Sequence, residues 1–309
     1  MKAIAEAPSK VIVAGEHFVV HGAWALAVAT GRKTQVTLSD SDKLSVASDR
    51  FDVSESGALK PLASVVGNMA RRYSFDPSIR VTVKSDVPPG AGMGSSASTL
   101  VALVSALSRL RSLNLNMADV IKLSMLGEQE IHGSPSGIDS TVCAIGGALL
   151  FRPGSRPRRV RFKGRRTFLV VNTGKSRSTK LQIRRVSKFK KSYPKFFEGL
   201  IGSASELSLT AADRLASDEM KALGGLLTMN HAVLGTLGVS NQVLDGLVDL
   251  LLSLGCHGAK LTGAGGGGSV VAIAPKGKEK SIITQLEARG LETFKVDIPV
   301  EGVKSWVAR

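Results

Sequence analysis

The chain has 309 residues, 43% of them hydrophobic and 21% charged, with two cysteines, Cys143 and Cys256. That length supports a sizeable core in roughly two domains, and two isolated cysteines argue against a disulfide framework or a zinc knuckle. No apolar run reaches the roughly 18 residues of a bilayer span, and Met1 to Glu6 lack a signal-peptide core, so a cytoplasmic protein is expected.

The net charge of +16 is concentrated in one place. Between Arg152 and Phe197 there are 17 Lys and Arg and no Asp or Glu; elsewhere 24 basic residues face 25 acidic ones. Such a segment suits a solvated basic face, a nucleic-acid binder, or an enzyme that draws in polyanionic substrates. No RNA-binding aromatic motif accompanies it.

In chain order, Val11 to Ala14 reads as a short buried strand ending in Gly15-Glu16-His17. Ala25 to Ala29 and Thr34 to Leu38 read as two strands separated by Gly31-Arg32-Lys33, and Leu44 to Asp52 alternates like another. Leu62, Val65, Val66 and Met69 repeat at helical spacing within Leu59 to Tyr73. Ile79 to Val83 is a predicted strand. Leu100 to Leu113 and Met117 to Ile131 are predicted helices, and Ala144 to Phe151 a strand. A loop at Gly154 to Lys163 is the best boundary, giving domains 1–164 and 165–309. Thr167 to Asn172 is a strand, followed by mainly helical sequence to about Gly255. Ser269 to Ala274, Glu279 to Arg289 and Thr293 to Ile298 then read as strand, helix and strand.

Four segments carry chemistry. Pro88-Pro89-Gly90-Ala91-Gly92-Met93-Gly94-Ser95-Ser96-Ala97 joins a strand to a helix start. Glycines permit close backbone approach to an anion, and the first helical N–H groups have no intrahelical partner. No Lys follows, so this is not the usual P-loop. Glu128 to Asp139 places two carboxylates on either side of a helix break at Gly133 and Pro135. Such carboxylates can converge, one on Mg²⁺ and one on a proton, although each alone could be a surface charge or a helix cap. Lys260-Leu261-Thr262-Gly263 to Gly268 holds five glycines in six residues, a pattern that fits close approach to a ligand or a structural bulge. Ala7 to His17 sets Lys10 against an apolar strand. His17 and His21 lie four apart but not on a helix, and no third metal ligand is evident.

Together the four segments resemble the GHMP kinases. Ala7 to Gly22 is similar to the family's A-P-x-K-V-I-x-x-G-E-H stretch, and Pro88 to Ala97 to its phosphate loop, with Met93 at the Leu position. Glu128 to Asp139 is similar to its E-x-x-x-H-G-x-P-S-G-x-D stretch, and Lys260 to Gly268 to K-L-T-G-A-G-G-G-G. Ser9, Ser140 and Ser269 depart from it where Gly, Asn and Cys are usual. The resemblance covers nearly the whole chain, and the branch that acts on mevalonate fits best because Lys10 and Asp139 are both kept.

The resemblance implies an α+β fold of two domains, the first like ribosomal protein S5 and the second ferredoxin-like, with the active site between them. It implies ATP and Mg²⁺ as cofactors, mevalonate as acceptor, a place in isoprenoid synthesis, and a homodimer. Asp139 and Lys10 are then the catalytic pair. Pro89, Gly90, Ala91, Gly92, Met93, Gly94, Ser95, Ser96 and Ala97 bind nucleotide, and Ser96 and Glu128 hold the metal. Glu16, His17, Thr173, Thr262, Gly263, Ala264 and Gly265 attend the substrate. A sister small-molecule kinase, a silent metabolite sensor, and a basic RNA-binding protein on a related fold are the alternatives.

Overall fold

The computed structural model describes residues 1–49, 56–87, 90–133, 135–175 and 178–308. The first lobe contains β1 (Lys2–Ala14), β2 (Ala25–Asp40), β3 (Ser45–Ser48), α1 (Ser56–Tyr73), β4 (Ile79–Ser85), α2 (Ser95–Leu110), α3 (Met117–His132), α4 (Ile138–Ile145), β5 (Ala148–Phe151) and β6 (Arg158–Val160). The second contains β7 (Arg166–Asn172), α5 (Thr179–Ser192), α6 (Pro194–Ala216), α7 (Met220–Thr236), α8 (Gln242–Ser253), β8 (Gly258–Thr262), β9 (Ser269–Ile273), α9 (Glu279–Glu287) and β10 (Glu292–Ile298). The last strand, β11 (Lys304–Ala308), returns to the first sheet. The first sheet runs β11-β1-β2-β4-β3, with β5 beside the start of β2 and β6 beside β5; the second runs β10-β7-β9-β8. We propose residue 164/165 as the lobe boundary, with β11 joining the first lobe.

β1 and β2 are longer than the sequence pattern predicts. In β1, Ala3, Ala5 and Ala7 face the core in alternation with Lys2, Ile4 and Glu6. Alanine is a poor strand former, so this alternation carries little signal by itself. The two predicted strands of β2 are one, because Pro8 pairs Lys33 while Ser9 pairs Thr30, leaving Gly31 and Arg32 as a bulge. The pattern predicted through Asp52 is a strand only at Ser45–Ser48, and its end lies outside the described residues. Residues 144–147, predicted as strand, are instead the end of α4 and a Gly146-Gly147 turn at positive φ.

One core lies between the first sheet and α1 to α4, and another between the second sheet and α5 to α9. A third joins the lobes, packing Val11, Val13 and Leu26 with Leu207, Ala211, Leu223 and Val271. Thus β1 and β2 have apolar contacts on both faces at the level of the motif residues.

β8 is an edge strand, and α7 covers it. The Ala259 and Leu261 N–H groups donate to Thr228 Oγ1 (3.3 Å) and His231 Nδ1 (3.2 Å) of that helix. The edge amides are therefore satisfied by side chains rather than left to template another strand. This closeness requires glycine: a Cβ on Gly258 would lie 1.7 Å from the Gly224 carbonyl oxygen. Gly258→Ala is expected to cost about 1–3 kcal/mol in urea unfolding by forcing α7 off β8. Gly225→Ala, which meets open space on the same helix, should instead be neutral or stabilise by up to about 1 kcal/mol.

Candidate active site

The phosphate-loop segment is stitched to β1. The Lys10 N–H donates to the Met93 carbonyl at 2.9 Å. Gly90, Gly92 and Gly94 all adopt positive φ (72°, 79° and 72°). Gly94 also has a steric reason to be glycine, since its Cβ would lie 2.7 Å from Lys10 Cε. As N-cap of α2 it offers no side chain to the helix start, so the dipole and the first amides face the loop without a side-chain cap. Gly90, Ala91, Gly92, Gly94, Ser95 and Ser96 line a cavity of about 740 Å³ between the lobes. Met93 and Ala97 point instead into apolar cores. Pro89, like Pro88, lies outside the described residues.

Lys10, Glu128 and Asp139 meet on one wall of this cavity. Lys10 is fully buried, and its Nζ lies 3.0 Å from Asp139 Oδ1. Asp139 stands in the first turn of α4, whose N-cap is Gly137 at φ 87°. The Asp139 side chain keeps about a third of its surface (32%), so it can still meet a ligand. A buried ammonium requires such a partner. Glu128 reaches the site because α3 packs tightly on α2; a Cβ on its neighbour Gly127 would sit 2.4 Å from a Leu100 methyl. Burial, and next the Asp139 charge, push the Glu128 carboxyl up to about 7, against the opposing pull of the Ser96 hydroxyl and Lys10.

A second buried cation lies between the lobes. Lys260, on β8, forms an ion pair with Glu16 and donates to the Ile12 carbonyl at 3.2 Å. Asn230 Nδ2, from α7, donates to the other Glu16 oxygen at 3.0 Å. Burial draws the Lys260 pKa down, while Glu16 opposes the shift. Glu16 borders the cavity, yet its carboxylate is engaged by these inter-lobe partners. The structural weight of Lys260 and Asn230 is absent from the sequence reading. The lysine was visible in the glycine-rich motif, but nothing local distinguishes it from a ligand-facing cation.

His17, at φ 63°, meets the Ala264 carbonyl through Nε2 at 2.9 Å. This ties the Gly-Glu-His turn to the glycine-rich loop, of which Gly263 and Ala264 line the cavity. Gly265 is turned away, with its missing Cβ 2.2 Å from the Val239 carbonyl oxygen. Thr262 is buried in β8. Thr173 Oγ1 donates to the Gly268 carbonyl at 2.7 Å, fixing the far end of the loop. Neither threonine lines the cavity. A wall that the sequence did not single out comes from α5, through Thr179, Ile183, Val186 and Ser187. Its usable signals were the Ser178 N-cap, which accepts from the Leu181 N–H, and the spacing of those four positions.

Two family models match the chain, the GHMP kinases N terminal domain over residues 60–147 and the GHMP kinases C terminal over 211–291. A mevalonate kinase of Aeropyrum pernix is 32% identical over 324 residues, covering 97% of each chain. This chain belongs to the GHMP kinase family. Among solved GHMP structures, the L. major mevalonate kinase in complex with R-mevalonate superposes with a TM-score of 0.83 at 28% identity, covering 96% of each chain. The Methanococcus jannaschii mevalonate kinase gives 0.82 at 25% identity, covering 96% of this chain and 98% of the other. The expected α+β GHMP fold is therefore the observed one.

Two outcomes follow from these burials. Glu128 ionises near 7 in the folded, ligand-free chain and near its ordinary 4.5 when unfolded. The folded state thus holds the proton more tightly, so stability is lost as pH rises from about 4.5 to about 7. The advantage of Glu128→Gln in melting temperature should be larger at pH 8 than at pH 5, by up to about 3 kcal/mol in free energy. Lys260→Met strands the Glu16 carboxylate and should cost about 3–5 kcal/mol; adding Glu16→Gln should recover much of that in the same unfolding assay.

Proposed function

We propose that this chain is a mevalonate kinase, which transfers the γ-phosphoryl group of ATP to the C5 hydroxyl of mevalonate and yields 5-phosphomevalonate and ADP. The observation that carries the reading is the Lys10–Asp139 pair, 3.0 Å apart, on the wall of a cavity that also holds a glycine-rich loop and a helix N-terminus. Phosphoryl transfer requires in-line positioning and charge neutralisation more than covalent help. The mevalonate kinase names of the relatives and the R-mevalonate complex of the L. major enzyme support the choice of acceptor.

In this reading Asp139 accepts the proton of the C5 hydroxyl as its oxygen attacks phosphorus, and ADP leaves. Lys10 contacts the same oxygen and stabilises its developing negative charge. Its stem, held against Gly94, fixes the ammonium next to the phosphate loop. The backbone of residues 90–94 and the start of α2 hold the phosphates. His17, Gly263 and Ala264 border the acceptor.

The residues present fit Mg²⁺. Glu128 is a buried carboxylate whose proton affinity is raised by burial and by Asp139, the state a dication would relieve. Mg²⁺ usually takes one or two carboxylates, with phosphate oxygens and water making up the rest of its coordination. Ser96 and Glu128 would hold the ion. When bound, it neutralises phosphate charge and orients the γ-phosphoryl group.

ADP release measured with mevalonate, 5-phosphomevalonate, galactose and homoserine as acceptors should register turnover on mevalonate alone. Asp139→Ala should lower that rate roughly 10²–10⁴-fold. Turnover on a different acceptor would move the chain to a sister branch, and near-normal rates in the variant would remove Asp139 from its role.

A further inference from the structure

The basic segment has found no use in the reaction so far, and its placement is specific. Its central element, α5, presents one row of residues to the cavity, including Thr179, Ile183 and Ser187. One turn beyond Ser187, Lys190 continues that row to the cavity-lining His21, its Nζ 3.4 Å from Nδ1. Both side chains pack on the buried ring of Phe197, His21 edge-on at 5.0 Å between centroids and Lys190 at 5.8 Å. Beside this row, at helical spacing, stand Lys180, Arg184, Lys188 and Lys191, all exposed. Among the described residues none of these four is in an ion pair. No acidic residue occurs from Arg152 to Phe197 to offset them.

We propose that α5 is a capture element for the anionic substrates, a cationic rim that runs from these four side chains to Lys190, beside the cavity-lining His21, and speeds entry of nucleotide. The proposal rests on the kinase reading for the identity of the anions. A one-signed row at the mouth of a low-dielectric cleft raises local anion concentration and association rate by about 10–10³-fold, and salt screens it. The four outer residues touch no reacting atom, so their effect belongs to association and to KM, with kcat unchanged.

The test is stopped-flow association of the protein with a fluorescent ribose-labelled ATP and Mg²⁺ from about 20 to 300 mM salt, across the roughly 6–20 Å range of screening lengths. Wild-type association should slow about tenfold or more over that range. K180Q/R184Q/K188Q/K191Q should bind at low salt nearly as slowly as wild type does at high salt, with a flattened salt dependence. The charge-keeping variant K180R/R184K/K188R/K191R should match wild type. An equal charge loss on β10, α9 and the turn before it, K276Q/K278Q/K280Q/K295Q, should change little, since neither element lines the cavity, whereas α5 does through Thr179, Ile183 and Ser187. The proposal is overturned if the α5 variant keeps the wild-type low-salt rate within about twofold, or if K276Q/K278Q/K280Q/K295Q loses as much. Association that depends on α5 without turnover on mevalonate would sink the acceptor assignment and leave capture standing. Turnover with association indifferent to α5 would do the reverse.

Discussion

The rest of the site depends on burial of the Lys10 ammonium. A lysine taken out of water needs an anion at hydrogen-bond range, or it loses its proton or its place. Here the anion is Asp139, contributed by a helix start more than a hundred residues away in sequence. The methylene stem of the same lysine lies against Gly94, and its own amide holds the Met93 carbonyl. One side chain therefore fixes the distance between β1, the phosphate loop and α4. A Cβ at Gly94, or a shorter cation at position 10, would change that distance directly. In a reaction that relies on positioning, this is a direct route from packing to rate.

The chain buries a second lysine in a different way, and the contrast separates structure from chemistry. Lys260 is closed off by Glu16, Asn230 and the Ile12 carbonyl, and neither member of the Lys260–Glu16 pair has appreciable solvent access. The Lys10 pair ends in a carboxylate one-third open to the cavity. A fully desolvated pair gains little net stability but holds its partners in one arrangement, because breaking it is costly. Lys260 and Glu16 lie on opposite lobes, as do Asn230 and Glu16. Their pairing fixes the cleft in which the more open pair can act. The His17–Ala264 contact adds a second tie at the cleft's edge.

Much of this was legible in the sequence because the chemistry is local in the chain. The strand–turn–helix around Gly90 to Ala97 and the helix break before Asp139 each announce themselves by glycine, proline and serine. What was not legible is where a motif residue points. Met93 and Ala97 lie in the phosphate-loop segment yet fill core, and Gly265 is glycine because Val239 passes close by. Glu16 reads as a substrate contact until its distant partners, Asn230 and Lys260, are known. The alanine-rich start of β1 and the short β11 lacked periodic signal, since their pairing is decided by neighbours remote in sequence. α5 was obscured by its own charge: dense Lys and Arg dilute the apolar stripe by which helices are usually read.

Charge placement connects these observations. The cavity wall at Lys10 carries two carboxylates and one buried ammonium, and burial first, with the Asp139 charge next, pushes Glu128 up to about 7. Such a wall repels a polyphosphate until something positive intervenes. The helix N-terminus at Gly94 offers partial charge from one side, and a dication, if held by Ser96 and Glu128, would offer it from another. Neither acts far from the cleft, because both are small and enclosed. The long-range attraction has to come from exposed charge outside, and the element that borders the cleft with it is α5, through Lys180, Arg184, Lys188 and Lys191. An acidic interior suited to holding a metal and a proton acceptor is thus bordered by a basic exterior suited to bringing anions to it.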